Sequence, residues 1–184
     1  MAEIAPRTHW DHLFADSLTI DLDPDWWKRA IARAHRIARN GQTDLRTNKF
    51  WTGVDLAAHG MVCEAAFGKF YGVPADWTVG RQGRSGQPDV AGFEVKSSAW
   101  YSINSFATWE GGNLWIQDHA QARAVVVLTV FRQSREHRVY LDGWLPMTAV
   151  RLHERVPGKG RRGVSYRVPY GALRSWRTIP KVGA

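Results

Sequence analysis

The run Ala124-Val125-Val126-Val127-Leu128-Thr129-Val130-Phe131 limits the architectures open to this chain more than any other segment. It has strand length, and β-branched side chains fit a pleated surface better than a helix. A half-covered strand alternates apolar and polar residues, whereas a continuous apolar run marks burial. Val125–Phe131 is therefore expected to be a buried strand. The chain must supply a sheet around it.

Helices are expected before that strand. Asp23 can cap a helix over about 24–40, Pro24 suits its first turn, and Gly41 suits its end. Trp27, Ala30, Ile31, Ala34, Ile37 and Ala38 give the buried stripe, leaving Lys28, Arg29, Arg33, Arg36 and Arg39 on the other side as a phosphate-contacting candidate. A second helix is expected over about 53–71. Thr52 and Asp55 have capping-box spacing, Leu56, Cys63, Phe67 and Phe70 form its stripe, and Gly72-Val73-Pro74 ends it. Strand signals follow at Trp77–Val79, Pro88–Val90, Phe93–Ser97, Leu114–Gln117 and Val139–Leu145. Residues 80–87 and 100–113 read as loops, and Asp118–Arg123 as a helical turn. Short elements are expected around Pro146–His153 and Val164–Ser175.

With 184 residues, 44% hydrophobic and 23% charged, the chain reads as one domain able to bury a core without staples. The single cysteine, Cys63, excludes an internal disulfide and favours a reducing compartment. No apolar run is long enough to span a bilayer, and the Met1-Ala2-Glu3 start has no secretion-signal character. A cytoplasmic location without membrane contact is expected.

Charge is unevenly placed. Residues 1–150 hold 16 basic and 16 acidic side chains; residues 151–184 hold nine basic and one acidic, so the net +8 lies there. Arg151, Arg155, Lys159, Arg161, Arg162, Arg167, Arg174, Arg177 and Lys181 point to a polyanionic partner.

The chemistry concentrates in Gln87-Pro88-Asp89-Val90-Ala91-Gly92-Phe93-Glu94-Val95-Lys96. In a strand, Glu94, Lys96 and Ser98 share one face and Phe93, Val95 and Ser97 the other. A tight turn at Ala91-Gly92 returns Asp89 to the neighbourhood of Glu94. Two carboxylates this close call for a cation, and a hard ion such as Mg²⁺ takes their oxygens while keeping waters. With a lysine alongside, this set suits phosphodiester hydrolysis. Glu64 adds a carboxylate on or beside the buried stripe of the second helix, where it needs a partner. The Gly- and Arg-rich loop 80–87 leads into Asp89, so Arg81 and Arg84 are candidate phosphate contacts, as are Lys159, Arg161 and Arg162. Among the ten tryptophans, Trp100, Trp109 and Trp115 follow the active strand, with Tyr101, and an exposed one can stack on an unpaired base. The seven histidines, His9 and His12 included, read as structural or surface residues.

Helix acid Glu64, then Pro88-Asp89, then Glu94-Val95-Lys96 resembles the PD-(D/E)xK nuclease superfamily, which includes restriction enzymes, junction resolvases and phage or mobile-element nucleases. The resemblance covers residues 53–131. It implies an α/β fold with a restriction-endonuclease-like αβββαβ core, a mixed central sheet flanked by helices. Residues 1–50 would add a helical extension, and 138–184 basic C-terminal strand and short helices. It implies a Mg²⁺-dependent deoxyribonuclease, most often an endonuclease, with Mn²⁺ able to substitute and no small-molecule cofactor. Asp89, Glu94 and the Val95 carbonyl would hold the metal, Glu64 directly or through water, and Lys96 would act on the water or phosphate. Ser98 and Gln117 are further candidate contacts. Gln121, four residues after Gln117, replaces the tyrosine that some exonuclease branches carry there. Cutting both strands of a duplex often takes two active sites, which admits a homodimer. The alternatives are an RNA-directed nuclease and a non-catalytic nucleic-acid-binding protein that retains the fold.

Overall fold

The computed structural model describes residues 16–39, 52–74, 88–100, 113–117, 122–131, 138–157 and 164–181. The elements are β1 (Leu18–Asp21), α1 (Pro24–Arg39), α2 (Gly53–Tyr71), β2 (Phe93–Trp100), β3 (Asn113–Gln117), β4 (Ala124–Phe131), β5 (Arg138–Pro146), α3 (Met147–Val150), β6 (Glu154–Pro157) and β7 (Val164–Pro169), then 3₁₀ turns at Tyr170–Ala172 and Trp176–Thr178. The expected strand at Trp77–Val79, the loop at 80–87, most of the loop at 100–113 and of the turn at 118–123, and the residues Trp10, Leu13, Phe14, His9, His12, Gly41, Tyr101 and Trp109 lie outside the described residues.

Both long helices begin where side chains can accept their first amide protons. The Asp25 N–H donates to Asp23 Oδ1 at 2.9 Å ahead of α1. At α2 the capping box is complete. The Asp55 N–H donates to Thr52 Oγ1 at 3.1 Å, and the Thr52 N–H donates to Asp55 Oδ2 at 3.0 Å. Gly72, left-handed at φ 76°, closes α2.

The α1 stripe differs from the sequence expectation. Ala30, Arg33, Ala34 and Ile37 are buried, while Ile31 is 42% exposed. The phase is rotated by a fraction of a turn, and Arg33 leaves the expected basic face. Lys28, Arg29, Arg36 and Arg39 stay exposed. On α2, Cys63 and Phe67 are buried as expected, but Leu56 and Phe70 are only half-buried, because Ala58, Val62 and Ala66 take the innermost positions. Buried His59 is structural: its ring meets Trp27 edge-on at 4.9 Å and locks α1 to α2.

The fold is mixed α/β. The central sheet has the order β1-β5-β4-β2, with β2 and β4 parallel and the other pairs antiparallel. A second, antiparallel sheet has the order β3-β7-β6. Two apolar clusters account for the continuous run in β4. Ala124, Val126, Leu128 and Val130 pack with α1 and α2, Phe93 and Val95. Val125 packs on the opposite face with Ile116, Tyr166 and Val168 of the second sheet and Met147 and Val150 of α3. The central sheet is thus covered by helices on one face and by a second sheet with a one-turn helix on the other, not by long helices on both. Placing Val127 and Leu128 between these layers needs no polar compensation, since both are fully buried.

Of the expected helix, three strands, helix, strand order, the described residues supply α2, the hairpin into β2, and β4. Expected strand β3 forms but joins the second sheet. The 1–50 and 138–184 segments are not mere additions, because β1 and β5 complete the central sheet. No helix among the described residues is long and apolar enough to cross a membrane.

Candidate active site

Val90 and Phe93 face each other across a two-residue turn. The Phe93 N–H donates to the Val90 carbonyl at 2.7 Å, and the Val90 N–H to the Phe93 carbonyl at 3.1 Å. Both central residues have positive φ, Ala91 at 47° and Gly92 at 86°. That is the type I′ turn, whose twist matches flanking strands. Gly92 also has a packing reason, since a Cβ there would meet Arg123 Nε at 3.3 Å.

The turn returns Asp89 to β2 as the sequence predicts. The Val95 N–H donates to Asp89 Oδ2 at 2.8 Å. Within a strand residue the N–H and C=O point to the same side, so the Val95 carbonyl is directed towards Asp89 as well. β2 is the edge of the central sheet among the described residues, so this side faces away from β4.

Phe93 and Val95 pack beneath α2, and the Phe67 and Phe93 rings meet edge-on at 5.2 Å. Alternation sends Glu94, Lys96 and Ser98 to the opposite face. Glu94 is 5% exposed, and Lys96 Nζ donates to Glu94 Oε1 at 2.5 Å. A carboxylate this buried is retained only with such partners. Asp89, Glu94, Val95 and Lys96 are therefore brought together. Glu64 is half-buried on α2 between buried Cys63 and Ala65. It is not gathered with the other two acids, for among the described residues no three His, Cys, Asp or Glu side chains converge to hold a metal ion. Gln117 lies on β3 in the second sheet, where it pairs with Ser165. Arg81, Arg84, Lys159, Arg161 and Arg162 lie outside the described residues.

Two polar groups near the site were not singled out by sequence. Arg123 donates its N–H to the Gly92 carbonyl at 2.9 Å, and its guanidinium carbon lies 4.4 Å from the Phe93 ring centre. Its Nη2 donates to Tyr71 Oη at 2.6 Å. An exposed cation thereby stands beside the Ala91-Gly92 turn.

The second group is Asp142. Val127 pairs with Gly143 and Leu128 with Leu141, so Asp142 is the extra residue of a β-bulge. Thr129 Oγ1 donates to Asp142 Oδ2 at 2.7 Å, and Ser17 Oγ donates to Oδ1 at 3.1 Å. Burial pushes the Asp142 carboxyl up to about 7, against the opposing pull of hydrogen bonds from Tyr170, Thr129 and Ser17. Thr129 pairs with Ser98 across the parallel strands, on the face that carries Glu94 and Lys96. A polar row thus extends from the candidate site to Asp142. An acid inside the otherwise apolar Val139–Leu145 segment was its signal in the sequence.

No known family model matches the chain, no curated protein matches it, and no solved structure matches it.

Proposed function

We propose that this chain is a divalent-cation-dependent nuclease of the PD-(D/E)xK type acting on DNA. One observation carries the reading: the Asp89 carboxylate is held on the Val95 amide, next to the Glu94–Lys96 pair. The donor set fits a hard cation in its chemistry, since Asp89, Glu94 and the Val95 carbonyl offer only oxygen. These three would hold Mg²⁺ or Mn²⁺. A bound ion of this kind supplies charge stabilisation at a phosphate oxygen and a more acidic water.

The protein's own groups do the remaining work. The type I′ turn sets the spacing between Asp89 and Glu94. Lys96 pairs with the buried Glu94 carboxylate and presents an ammonium, 26% exposed, that can neutralise charge on a phosphate. Arg123, at the same turn, is placed to hold a neighbouring phosphate. The αβββαβ core belongs to this proposal, as do Glu64 as an outer acid and a homodimer on duplex DNA.

A second reading, a DNA-binding protein that does not cut, is favoured by the seating of Lys96 on Glu94, which ties both groups up in an ion pair. The two separate when the protein is incubated with supercoiled plasmid, linear duplex, single strands and a four-way junction, each with Mg²⁺, Mn²⁺ or EDTA. Metal-dependent cutting of any of them supports the nuclease. Retarded migration without cutting in every metal supports the binding protein.

A further inference from the structure

The outer face of the second sheet carries an aromatic, a basic and an acidic side chain side by side. Trp115, Arg167 and Glu154 lie in one register row across β3, β7 and β6. Their neighbours Ile116, Tyr166 and Val168 are buried against the central sheet, so alternation turns Trp115 and Arg167 outward. Trp115 is 46% exposed and is the one aromatic among the large exposed apolar side chains of the described residues, with Ile31 and Leu152. Exposure of a single apolar residue is ordinary. A tryptophan held on a sheet with a guanidinium directly opposite is a more specific arrangement. Two of the three strands also belong to residues 151–184, which carry the net +8.

We propose that this face binds single-stranded nucleic acid, with a base stacked on Trp115 and a backbone phosphate taken by Arg167. The chemistry divides cleanly. An indole offers a flat surface that any unpaired base can cover, whereas a duplex keeps its base faces stacked inside. The guanidinium supplies charge without sequence preference. The Arg167–Glu154 ion pair does not block this, since both side chains are about half exposed and such pairs are weak. A phosphate replaces the Glu154 carboxylate as the partner of Arg167. An acidic protein segment would use the arginine but would gain no stacking energy from the indole. The surface is separate from the Asp89–Lys96 site, and binding there does not depend on cleavage.

The test is fluorescence anisotropy in EDTA with labelled oligo-dT and oligo-rU of about fifteen nucleotides and a hairpin duplex of similar length. Trp115→Ala is expected to weaken binding to the single strands roughly tenfold and to change duplex binding less than about twofold. Trp115→Phe is expected to retain most of the affinity. Arg167→Gln should lower the salt slope on single strands by about 0.7, one phosphate contact, and Glu154→Gln should tighten binding. Oligo-dT and oligo-rU bound alike support recognition of base faces and phosphates. The proposal is overturned if wild type binds no single strand, if Trp115→Ala leaves the affinity unchanged, or if it weakens single strands and duplex equally. Equal competition by poly-glutamate would overturn it as well and assign the face to an acidic protein. Thermal melts of each variant exclude misfolding, to which an exposed position is insensitive.

Discussion

Asp89 and Val95 are joined by a hydrogen bond of 2.8 Å from the Val95 amide to the Asp89 carboxylate, across a turn of two residues with positive φ. That contact has a structural and a chemical aspect, and substitution separates them. Asp89→Asn keeps an oxygen for the Val95 N–H but removes the charge. It should fold with stability near wild type and lose Mg²⁺ affinity by calorimetry. Asp89→Ala should lose both, with a stability cost of about 1–2 kcal/mol in urea unfolding for the unpaired amide. Equal Mg²⁺ affinity in Asp89→Asn and wild type would remove Asp89 from the metal set.

The turn itself carries strain. Ala91 at φ 47° sits where side chains other than Asn and Gly are disfavoured, and Asn-Gly is the preferred type I′ pair. Ala91→Asn should stabilise the protein by about 0.5–1 kcal/mol, and Ala91→Val should destabilise it by more than about 1 kcal/mol. Urea midpoints give both values. The same order of midpoints for Asn and Val would contradict the turn assignment.

Asp142 makes stability depend on pH in a defined direction. Its carboxyl ionises near 7 when folded and near 3.8 in the unfolded reference. Between those values the folded chain retains a proton that the unfolded chain has released. This contribution to stability is complete below about pH 4 and is lost as pH rises through about 7. Wild type should therefore lose more stability between about pH 5 and about pH 8 than Asp142→Asn, whose amide is neutral throughout. An identical pH dependence in the two proteins would contradict the proton-holding role.

Residues 158–163 join β6 to β7 and contain Lys159, Arg161 and Arg162. Replacing Arg161 and Arg162 together by alanine should weaken binding to duplex DNA and reduce the slope of log affinity against log salt by up to about 2. An unchanged slope would take this segment off the substrate.

How much of this was legible depended on how local the determinant was. The α2 boundaries follow from neighbours in sequence, Thr52 with Asp55 at one end and Gly72 at the other, and the structure places them at the expected residues. The turn at Ala91-Gly92 is also local. β1 was not recognised, because Leu18–Asp21 is short and gains strand character only by pairing with β5, more than a hundred residues away. The Asp142 bulge depends on register between β4 and β5, and on Gly143, where a Cβ would lie 2.5 Å from the Arg174 carbonyl. No local pattern encodes that approach. The exchange of Ile31 for Arg33 on the buried side of α1 reflects a helical period that fixes spacing but leaves phase to tertiary packing. The nearness of Asp89 to the β2 strand follows from turn and strand alternation, which are short-range rules, whereas the distance of Glu64 from that strand depends on how α2 lies on the sheet.

The proposed metal-dependent cleavage of phosphodiester bonds requires the Glu94–Lys96 pair beside Asp89. The most direct test is the rate of plasmid cleavage in Mg²⁺ by wild type, Glu94→Gln and Lys96→Met, with DNA binding measured alongside in EDTA. Wild type should cleave in a metal-dependent way, both variants should lose at least about a hundredfold, and binding should stay within about threefold of wild type. Cleavage that persists in Glu94→Gln would contradict that requirement.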